Sequence, residues 1–442
     1  MAAPDTIAAI ATAPGQGGVG IIRISGSQVG PIARRLLGKL PQARYATLSR
    51  FQDASGDPID QGIALFFPAP ASFTGEDILE LHAHGGPVVL DRLLQRVIEL
   101  GARAARAGEF SERAFLNGKI DLLQAEAIAD LIAAESEQSA KAAAHSLQGE
   151  FSASIDALLQ QLIALRMHVE SALDFPEEEI DFLADEDIAN RLDAARQQLQ
   201  LIQNNSKQGR LLNEGLKLVI SGKPNAGKSS LLNLLAGSDS AIVSDIPGTT
   251  RDVLREKIQM QGVPLHIVDT AGLREANDVI EQEGVRRARN EIEQADILLT
   301  VIDASTETPP DDCRHNEILV LNKIDLLATP PDDAAGDNRV WLSAKTGAGL
   351  PQLQQAILQK AGYSEQAVNT TGIYSARRRH LQAMAQTAQH LSLAHEALHK
   401  EQAGEVMAEE LRLAQQALSE ITGAFSSDDL LGKIFSEFCI GK

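Results

Sequence analysis

The sequence predicts a multidomain protein that combines α/β and α-helical domains. Residues 1–118 contain short strand-like runs separated by Gly and Pro, and from residue 119 the chain becomes rich in strong helix formers. From residue 216 strand-like and helical runs alternate, and long helical patterning returns near residue 375. The predicted domains are an N-terminal domain, a first helical part, an inserted α/β domain and a second helical part, at 1–118, 119–214, 215–366 and 367–442.

The N-terminal domain is predicted from three strand-like runs and one helix. The strand-like runs are "VGIIRISG", "GIALFFPAP" and "DILELHAHGG", and the helical run is "VVLDRLLQRVIELG". Gly and Pro stand at the ends of these runs, where they favour turns. This mixture indicates an α/β or α+β domain.

The helical parts are predicted from composition and spacing. The stretch "KIDLLQAEAIADLIAAESEQSAKAAAHSLQ" contains neither Gly nor Pro, and its Leu and Ile recur every three or four residues. That spacing gives a helix one apolar face. The pattern continues to about residue 212, apart from the acidic turn "DFPEEEIDF", and resumes after residue 375. We expect the two helical parts to pack together as one domain.

The inserted domain is predicted from short, continuous apolar runs. These runs are "LKLVIS", "LHIVDT", "DILLTVID", "EILVLNK" and "VWLSA", with helical stretches between them. Strands of this type belong to a parallel sheet that is covered on both faces. Because helical segments flank the unit on both sides, the sequence indicates an insertion into the helical domain.

Composition and charge exclude several classes of protein. The chain has 442 residues with 44% hydrophobic content, and no apolar run approaches the roughly 18 residues of a membrane span. Its two cysteines, Cys313 and Cys439, argue against a disulfide framework or a four-cysteine metal site. The N-terminus carries no basic leader, so we expect a cytoplasmic protein without a membrane association.

The net charge of −20 argues against a protein that coats nucleic acid, because phosphate binding needs clustered Lys and Arg. One basic run, "ARRRH" at 376–380, could form a local RNA-binding patch. A basic helix start that balances acidic neighbours is the favoured interpretation of this run.

A phosphate-binding loop is predicted at "GKPNAGKS", residues 222–229. A strand-like run precedes it and a helical run follows it, which is the context that this motif requires. Its glycines let backbone N–H groups turn towards phosphate, and the helix N-terminus adds positive potential. In this motif Lys228 reaches the β- and γ-phosphates and Ser229 binds Mg²⁺.

Four further elements follow in the order of a guanine-nucleotide site. Thr249 or Thr250 in "DIPGTTRD" supplies a hydroxyl for Mg²⁺, and "DTAG" supplies Asp269 for the metal and the Gly272 N–H for the γ-phosphate. In "NKID", Asp325 can accept two hydrogen bonds from the guanine edge. "SAK", residues 343–345, follows a strand and is placed to contact the guanine oxygen.

The residue after "DTAG" departs from Ras-like enzymes, where a glutamine orients the attacking water. Here it is Leu273, which cannot hydrogen-bond through its side chain. Asn225 and the bent segment "SDIPGTT" could instead form an oxygen cage for a monovalent cation. Carboxylates that could orient the water are Glu275, Glu281 and Glu283, although for any one of them taken alone a solvated surface charge is the favoured interpretation.

The whole chain resembles the bacterial and organellar tRNA modification GTPase family, MnmE-type. The resemblance rests on the G motifs and on "IATAPGQGGVGIIRISG", "GEFSERAFLNGKIDLLQAEA" and the terminal "CIGK". It implies an N-terminal tetrahydrofolate-binding and dimerisation domain, a helical domain and an inserted Ras-like P-loop G domain. It also implies a homodimer whose G domains meet when K⁺ binds, and a heterotetramer with a flavin-bearing, MnmG-type partner. The complex would act on tRNA, adding an aminomethyl-type group to C5 of the wobble uridine with tetrahydrofolate carbon and with glycine or ammonium nitrogen.

The resemblance also places the site residues. It implies Asn225 as the side-chain K⁺ ligand, with the backbone of Ser244, Ile246 and Thr249, and Thr250 beside Ser229 on Mg²⁺. The water-orienting glutamate falls on Glu281, although a shift to Glu283 is conceivable. The implied GTP-binding residues are Asn225, Ala226, Gly227, Lys228, Ser229, Ser230, Ser244, Asp245, Ile246, Pro247, Gly248, Thr249, Thr250, Asp269, Thr270, Ala271, Gly272, Asn322, Lys323, Asp325, Ser343, Ala344 and Lys345.

A folate site is implied at Arg23, Glu80, Lys119 and the last residue, Lys442. The alternation of a strand puts Glu80 and His82 on one face, where a carboxylate could accept paired N–H donors of a pterin. Without the resemblance, Arg23 and Glu80 would be ordinary exposed strand charges, and a metal site at His82 and His84 has no visible third ligand. For Cys439, docking of the tail is favoured over catalysis.

One alternative of another class is a GTPase switch in ribosome assembly, for which RNA binding would be the function. Such switches usually carry a basic RNA-binding module, whereas this chain is acidic overall. The N-terminal domain and the "CIGK" tail therefore favour the modification enzyme.

Overall fold

The computed structural model describes most of the chain as two compact units. The described residues are 5–174, 186–238, 255–269, 291–310, 313–327, 338–363, 373–401, 403–423, 428–436, 438 and 441. One unit comprises Met1–Ala129 with Ser419–Lys442, and the other comprises Asp130–Leu418. The predicted combination of α/β and α-helical parts is confirmed. Among the described helices, none has the length and apolar character needed to cross a bilayer.

The first unit contains a six-stranded sheet. Its strands are β1 (Ile7–Ile10), β2 (Gly17–Ser25), β3 (Thr47–Gln52), β4 (Pro58–Phe67), β5 (Ile78–Gly85) and β6 (Arg103–Ala104). They lie in the order β3-β4-β5-β2-β1-β6, and all pairs are antiparallel except β1 with β6.

Two amphipathic helices, α1 (Val29–Leu37) and α2 (Pro87–Glu99), supply the apolar side chains that pack with this sheet. Ile22, Ile24, Leu79 and Leu81 share that core. Because strand side chains alternate, the residues between them face the other side of the sheet.

The helical segments begin with α3 and return after the second sheet. Their bounds are α3 (Glu109–Leu116), α4 (Leu122–Ala133), α5 (Glu137–Leu147), α6 (Glu150–Asp174) and α7 (Glu186–Glu214), then α10 (Arg378–Glu396), α11 (Gly404–Thr422) and α12 (Asp428–Ser436). A π-helical turn, Ala397–Glu401, extends α10. In the second unit the Gln203 amide of α7 donates to the Met384 carbonyl of α10 at 3.0 Å, so these two helices pack side by side.

The second unit contains a mainly parallel sheet. Its strands are β7 (Leu216–Gly222), β8 (Arg255–Met260), β9 (Val263–Asp269), β10 (Ile297–Asp303), β11 (Glu317–Asn322) and β12 (Arg339–Trp341). Their order is β12-β11-β10-β7-β9-β8, and only β8 runs antiparallel to its neighbour. The helices α8 (Lys228–Ser238) and α9 (Leu350–Lys360) pack with its apolar core, as an α/β arrangement requires.

A buried carboxylate organises the start of α3 in the first unit. The Glu109 side chain is 3% exposed and accepts hydrogen bonds from Arg103 Nη1 at 2.8 Å, the Arg106 N–H at 2.8 Å and Arg113 Nη2 at 3.2 Å. Burial alone would raise the pKa of Glu109, but these donors outweigh it and lower the pKa to about 2 from 4.5. Asp5 pairs with the same two arginine side chains and its pKa is also lowered, chiefly by the Arg103 hydrogen bond.

Glu109 therefore makes the stability of the first unit depend on pH. A lowered folded-state pKa gives stabilisation that is complete above the unfolded value of 4.5 and is lost as pH falls towards 2. A change of this size corresponds to about 3 kcal/mol. We expect Glu109→Gln to destabilise the unit at pH 7 and to reduce the further loss of stability as the pH falls. Hydrogen exchange of peptides covering 103–116, between pH 7 and 3, measures both effects.

Glu112→Gln in the same helix is the matched control, because Glu112 pairs with the exposed Arg106 side chain. Exposed pairs contribute about 0–1 kcal/mol, so this variant should follow the wild type. Equal acid sensitivity of Glu109→Gln and the wild type would show that the buried carboxylate does not control the transition.

Candidate functional site

The predicted phosphate-binding loop lies between the strand β7 and the helix α8. Lys228 is buried, and its ammonium donates to the carbonyls of Gly222 at 3.1 Å and Lys223 at 2.8 Å. The loop turns sharply because Asn225 has a φ of 63° and Gly227 a φ of 100°. Ser229 and Ser230 follow at the exposed first turn of α8. Backbone N–H groups at such a turn and helix start can bind phosphate.

Asn322 joins this loop to the "SAK" segment. Its side chain is buried and donates from Nδ2 to the Ala226 carbonyl at 2.8 Å. Its Oδ1 accepts from the Ala344 N–H at 2.9 Å. A Cβ atom at Gly227 would lie 2.2 Å from the Asn322 Nδ2, so only glycine leaves room for this bridge.

The predicted base-binding residues lie together. Ser343 Oγ donates to Asp325 Oδ1 at 2.6 Å and accepts from the Thr346 N–H at 3.2 Å, which fixes the carboxylate. Asp325 lies in a 3-10 turn, Ile324–Leu326, directly after Lys323. Lys345 is exposed beside Ala344.

Sequence reasoning missed Asp303 at the end of β10. Lys323 donates to Asp303 Oδ2 at 2.6 Å, and that hydrogen bond, with one from Ser305, lowers the pKa of Asp303. Lys323 itself has a left-handed backbone conformation, with a φ of 68°. The sequence feature that could have identified Asp303 is its place at the end of the strand-like run "DILLTVID".

The carboxyl ends of neighbouring parallel strands bring these groups to one edge of the sheet. The register pairs Val301 with Gly222, and Asp303 with Asn322. Asp269 ends β9 and pairs with Ile220 of β7, so its backbone lies beside the strand that feeds the loop. Ligands of open α/β sheets bind at this edge.

Part of the predicted nucleotide site lies outside the described residues. These positions are Ser244, Asp245, Ile246, Pro247, Gly248, Thr249, Thr250, Thr270, Ala271, Gly272 and Glu281, together with the alternatives Glu275 and Glu283.

The second predicted site lies in the first unit, where Arg23 of β2 is the register partner of Glu80 on β5. Arg23 donates from Nε to Glu80 Oε1 at 2.9 Å, and His82 Nε2 lies 3.3 Å from Glu80 Oε2. The Arg23 guanidinium carbon also lies 5.6 Å from the centre of the Phe73 ring and 5.9 Å from that of Phe110. These two rings had no signal in the sequence.

The remaining predicted residues of this site lie on other segments. Lys119 follows α3 and is exposed, and its side chain lies 3.3 Å from the position of a Cβ atom at Gly75. Lys442 and Cys439 lie outside the described residues. The neighbouring Gly441 lies against β1, because a Cβ atom there would be 2.3 Å from the Ile10 carbonyl oxygen.

The two histidines after Glu80 do not share a partner. His84 is exposed and contacts Asp60 at 2.8 Å, whereas His82 contacts Glu80. Across the described residues, no group of three or more His, Cys, Asp or Glu side chains could hold a metal ion.

The basic run at 376–380 begins α10. Arg377 donates to Asp130 Oδ1 at 2.7 Å, and the Arg377 N–H donates to His380 Nδ1 at 3.0 Å. The first arginine and the histidine are therefore structural, which agrees with a basic helix start.

Comparisons with known proteins cover the whole chain. A family model described as the MnmE helical domain matches residues 122–439, and one described as the GTP-binding protein TrmE N-terminus matches residues 6–119. A "tRNA modification GTPase MnmE" of Coxiella burnetii (strain Dugway 5J108-111) is 55% identical over 451 residues, covering 99% of each chain. The protein of that name from Yersinia pseudotuberculosis serotype O:1b (strain IP 31758) is 55% identical over 457 residues, covering 100% of each chain.

Among solved structures, the G domain of the T. maritima FeoB iron transporter is 23% identical, covers 33% of this chain and 98% of its own, and has a TM-score of 0.24. A TM-score this low does not show a common fold.

Gly227 gives a direct test of the nucleotide site. We expect Gly227→Ala to weaken GDP binding about tenfold or more, because a side chain at its φ of 100° is strained and displaces Asn322. Equilibrium titration with a fluorescent GDP measures this change.

Gly237→Ala in α8 is the control, since a Cβ atom there has nothing within 4 Å. Thermal unfolding of both variants separates lost affinity from lost folding. Wild-type GDP affinity in a folded Gly227→Ala protein would remove this loop from the nucleotide site.

Proposed function

This chain belongs to the MnmE family of tRNA modification GTPases, and from that premise we propose its function. The protein is a potassium-dependent GTP hydrolase. Together with a flavin-bearing partner of the MnmG type, it adds a (carboxymethyl)aminomethyl group to C5 of the wobble uridine of certain tRNAs. The observation that carries the nucleotide part is the Asn322 bridge, which brings the phosphate-binding loop and the base-binding residues together.

In this proposal Asp325 accepts the amino and imino hydrogens of guanine. Ser343 supports this role because its hydroxyl already holds the Asp325 carboxylate. Adenine offers no such pair of donors at that edge, so the arrangement selects GTP over ATP. The Ala344 and Lys345 segment contacts the guanine oxygen, and Lys228 contacts the phosphates once GTP displaces it from the loop carbonyls.

Two cations complete the proposed nucleotide site. Ser229 and Thr250 hold Mg²⁺, and Asn225 with the backbone of Ser244, Ile246 and Thr249 holds K⁺. The oxygen donors suit these hard cations. The position of Asn225 supports its role as a K⁺ ligand, because the residue is exposed in the loop and has a left-handed backbone conformation. The K⁺ supplies positive charge beside the phosphate, as an arginine finger does in other GTPases. Glu281 orients the attacking water in place of Leu273.

The first unit is the proposed site of a tetrahydrofolate derivative. Glu80 accepts the paired N–H donors of the pterin, and Arg23, Lys119 and Lys442 bind the remaining polar groups. Arg23 and Glu80 fit such a ligand because they lie on one sheet face and the Phe73 and Phe110 rings are beside them. The position of Gly441 against β1 supports a role for Lys442, because Ala9 of β1 pairs with Arg23.

The assembly that we propose is a homodimer joined through the N-terminal domains, which forms a heterotetramer with the flavoprotein in the cytoplasm. The complex, rather than the acidic chain alone, binds tRNA. We also propose the domain division of 1–118, 119–214 with 367–442, and 215–366.

The first test is the dependence of GTP turnover on the alkali cation. We expect turnover at saturating GTP to rise at least tenfold in potassium chloride over sodium chloride at equal ionic strength, because the proposed site is occupied by K⁺. Nucleotide affinity should be similar in both salts. Equal turnover in the two salts would exclude the cation cage.

The same assay examines Glu281 and its alternatives. Glu281→Ala should nearly abolish turnover in potassium while nucleotide affinity stays intact, because the residue acts on the transition state. Glu275→Ala and Glu283→Ala are the matched variants. Near-normal turnover in Glu281→Ala with a loss in one of these would transfer the role to that residue.

The folate site is tested by binding rather than by turnover. Glu80→Gln should weaken tetrahydrofolate binding about tenfold or more in anaerobic calorimetry, because the amide replaces one of the two acceptor oxygens with an NH₂ donor and removes the negative charge. Asp60→Asn on β4 is the control, since its carboxylate contacts His84. Unchanged affinity in Glu80→Gln would remove this face from the folate site.

A further inference from the structure

The β8–β9 hairpin joins the two segments that the sequence predicts to surround the γ-phosphate. Met260 pairs with Val263, so Gln261 and Gly262 form a two-residue turn, with φ values of 48° and 85°. Positive φ at both positions is typical of a tight type I′ turn. At the other end, β8 begins soon after "GTTRD" and β9 ends at Asp269, the first residue of "DTAG".

The turn is held by side chains from outside the hairpin. A Cβ atom at Gly262 would lie 2.6 Å from both Cδ and Oε1 of Gln138, so the Gln138 amide packs directly on the glycine backbone. The Tyr363 hydroxyl donates to the Gln261 carbonyl at 3.1 Å. Gln138 belongs to the first turn of α5, and Tyr363 follows α9.

Burial fixes the same end of the hairpin. Met260 and Val263 are fully buried in a core that includes Ala142 of α5 and Leu211 and Leu212 of α7. A close-packed core of this kind does not deform continuously. The turn therefore cannot move without α5 moving or the Gln138 and Tyr363 contacts breaking.

The first turn of α5 is well defined. Ser136 caps the helix, since its hydroxyl accepts from the Ser139 N–H at 3.0 Å, and the Ser136 N–H donates to Ser139 Oγ at 3.2 Å. Gln138 lies between these two serines. A displacement of Gly262 therefore acts on a helix start that has a fixed hydrogen-bond pattern.

We propose that Gln138 and Tyr363 are positioning residues for GTP hydrolysis, and that the hairpin between them and Asp269 carries the nucleotide state to α5. The inference rests on the proposed GTPase function. A strand of seven residues spans about 20 Å and is stiff along its length, so a shift at one end of the hairpin reaches the other. Loosening the turn therefore also changes how the far end of β9, at Asp269, is aligned.

Hydrogen exchange of the full chain tests the coupling. Peptides that cover 222–238 report nucleotide binding, and peptides that cover 137–147 report α5. In the wild type with potassium, a non-hydrolysable GTP analogue should protect the first region relative to the free protein. The α5 peptides should exchange at least about threefold differently between the analogue and GDP. Gln138→Ala and Tyr363→Phe should keep the 222–238 response, lose the α5 response and lower kcat about threefold to tenfold at unchanged KM.

A pair of variants separates contact from backbone strain. Gly262→Ala introduces both a strained side chain and a clash with Gln138. Adding Gln138→Ala relieves the clash, while the strain remains and the Gln138 contact is lost. The double variant should therefore have a kcat at least about twofold above that of Gly262→Ala and no higher than that of Gln138→Ala. Gly56→Ala is the control for strain, because Gly56 has a φ of 89° with nothing within 4 Å of an added Cβ; its kcat should equal that of the wild type.

The outcomes distinguish this inference from the function on which it rests. No protection of 222–238 by the analogue would contradict GTP binding itself. Protection there with identical α5 exchange in the GDP and analogue states, or full kcat in Gln138→Ala and Tyr363→Phe, would overturn the positioning role.

Discussion

The proposed nucleotide site depends on one buried amide, the side chain of Asn322. Parallel pairing aligns the ends of β7, β10 and β11, but it does not fix the loops that follow them. The amide provides a donor for the Ala226 carbonyl and an acceptor for the Ala344 N–H. A carboxylate at this position could accept but not donate, and an apolar side chain could do neither. Because the group is buried, an unsatisfied partner would cost about 1–3 kcal/mol, enough to let the two loops separate.

Sequence reasoning predicted the elements of this site because their signals are local. Glycines at 222 and 227 and a strand–loop–helix pattern are sufficient to place a phosphate-binding loop at Lys228. The contact of Lys323 with Asp303 could not be predicted in the same way. It joins the ends of two strands about 20 residues apart in sequence, and only the order of the strands in the sheet brings them together. The order of the strands in the sheet decides such contacts, and the periodicity of the sequence carries no information on that order.

For Arg23 and Glu80 too, the sequence predicts the sheet face of each side chain but not its cross-strand partner. Alternation within each strand predicts which face a side chain occupies, but the register between β2 and β5 decides which charges meet. That register shifts between Gly17 and Gly20, so counting residues along β2 does not give it. Two residues that look like unrelated surface charges in sequence are therefore an ion pair beside two aromatic rings.

Among the described residues, the parallel sheet contacts the helices of its own unit at several places, and three of these bear on the proposed coupling. One is the junction of α7 and β7, where Gly215 alone separates helix from strand, with a φ of 71°. The second is the return segment before α10, where Arg377 and Ser375 both donate to Asp130. The third is the β8–β9 turn. The α7–β7 junction is a single residue of backbone, and the segment before α10 is held by side-chain hydrogen bonds. The hairpin differs from both, because it is a pair of strands whose far ends adjoin the segments that the sequence predicts to surround the γ-phosphate. This continuity is the reason that the proposed coupling runs through the hairpin.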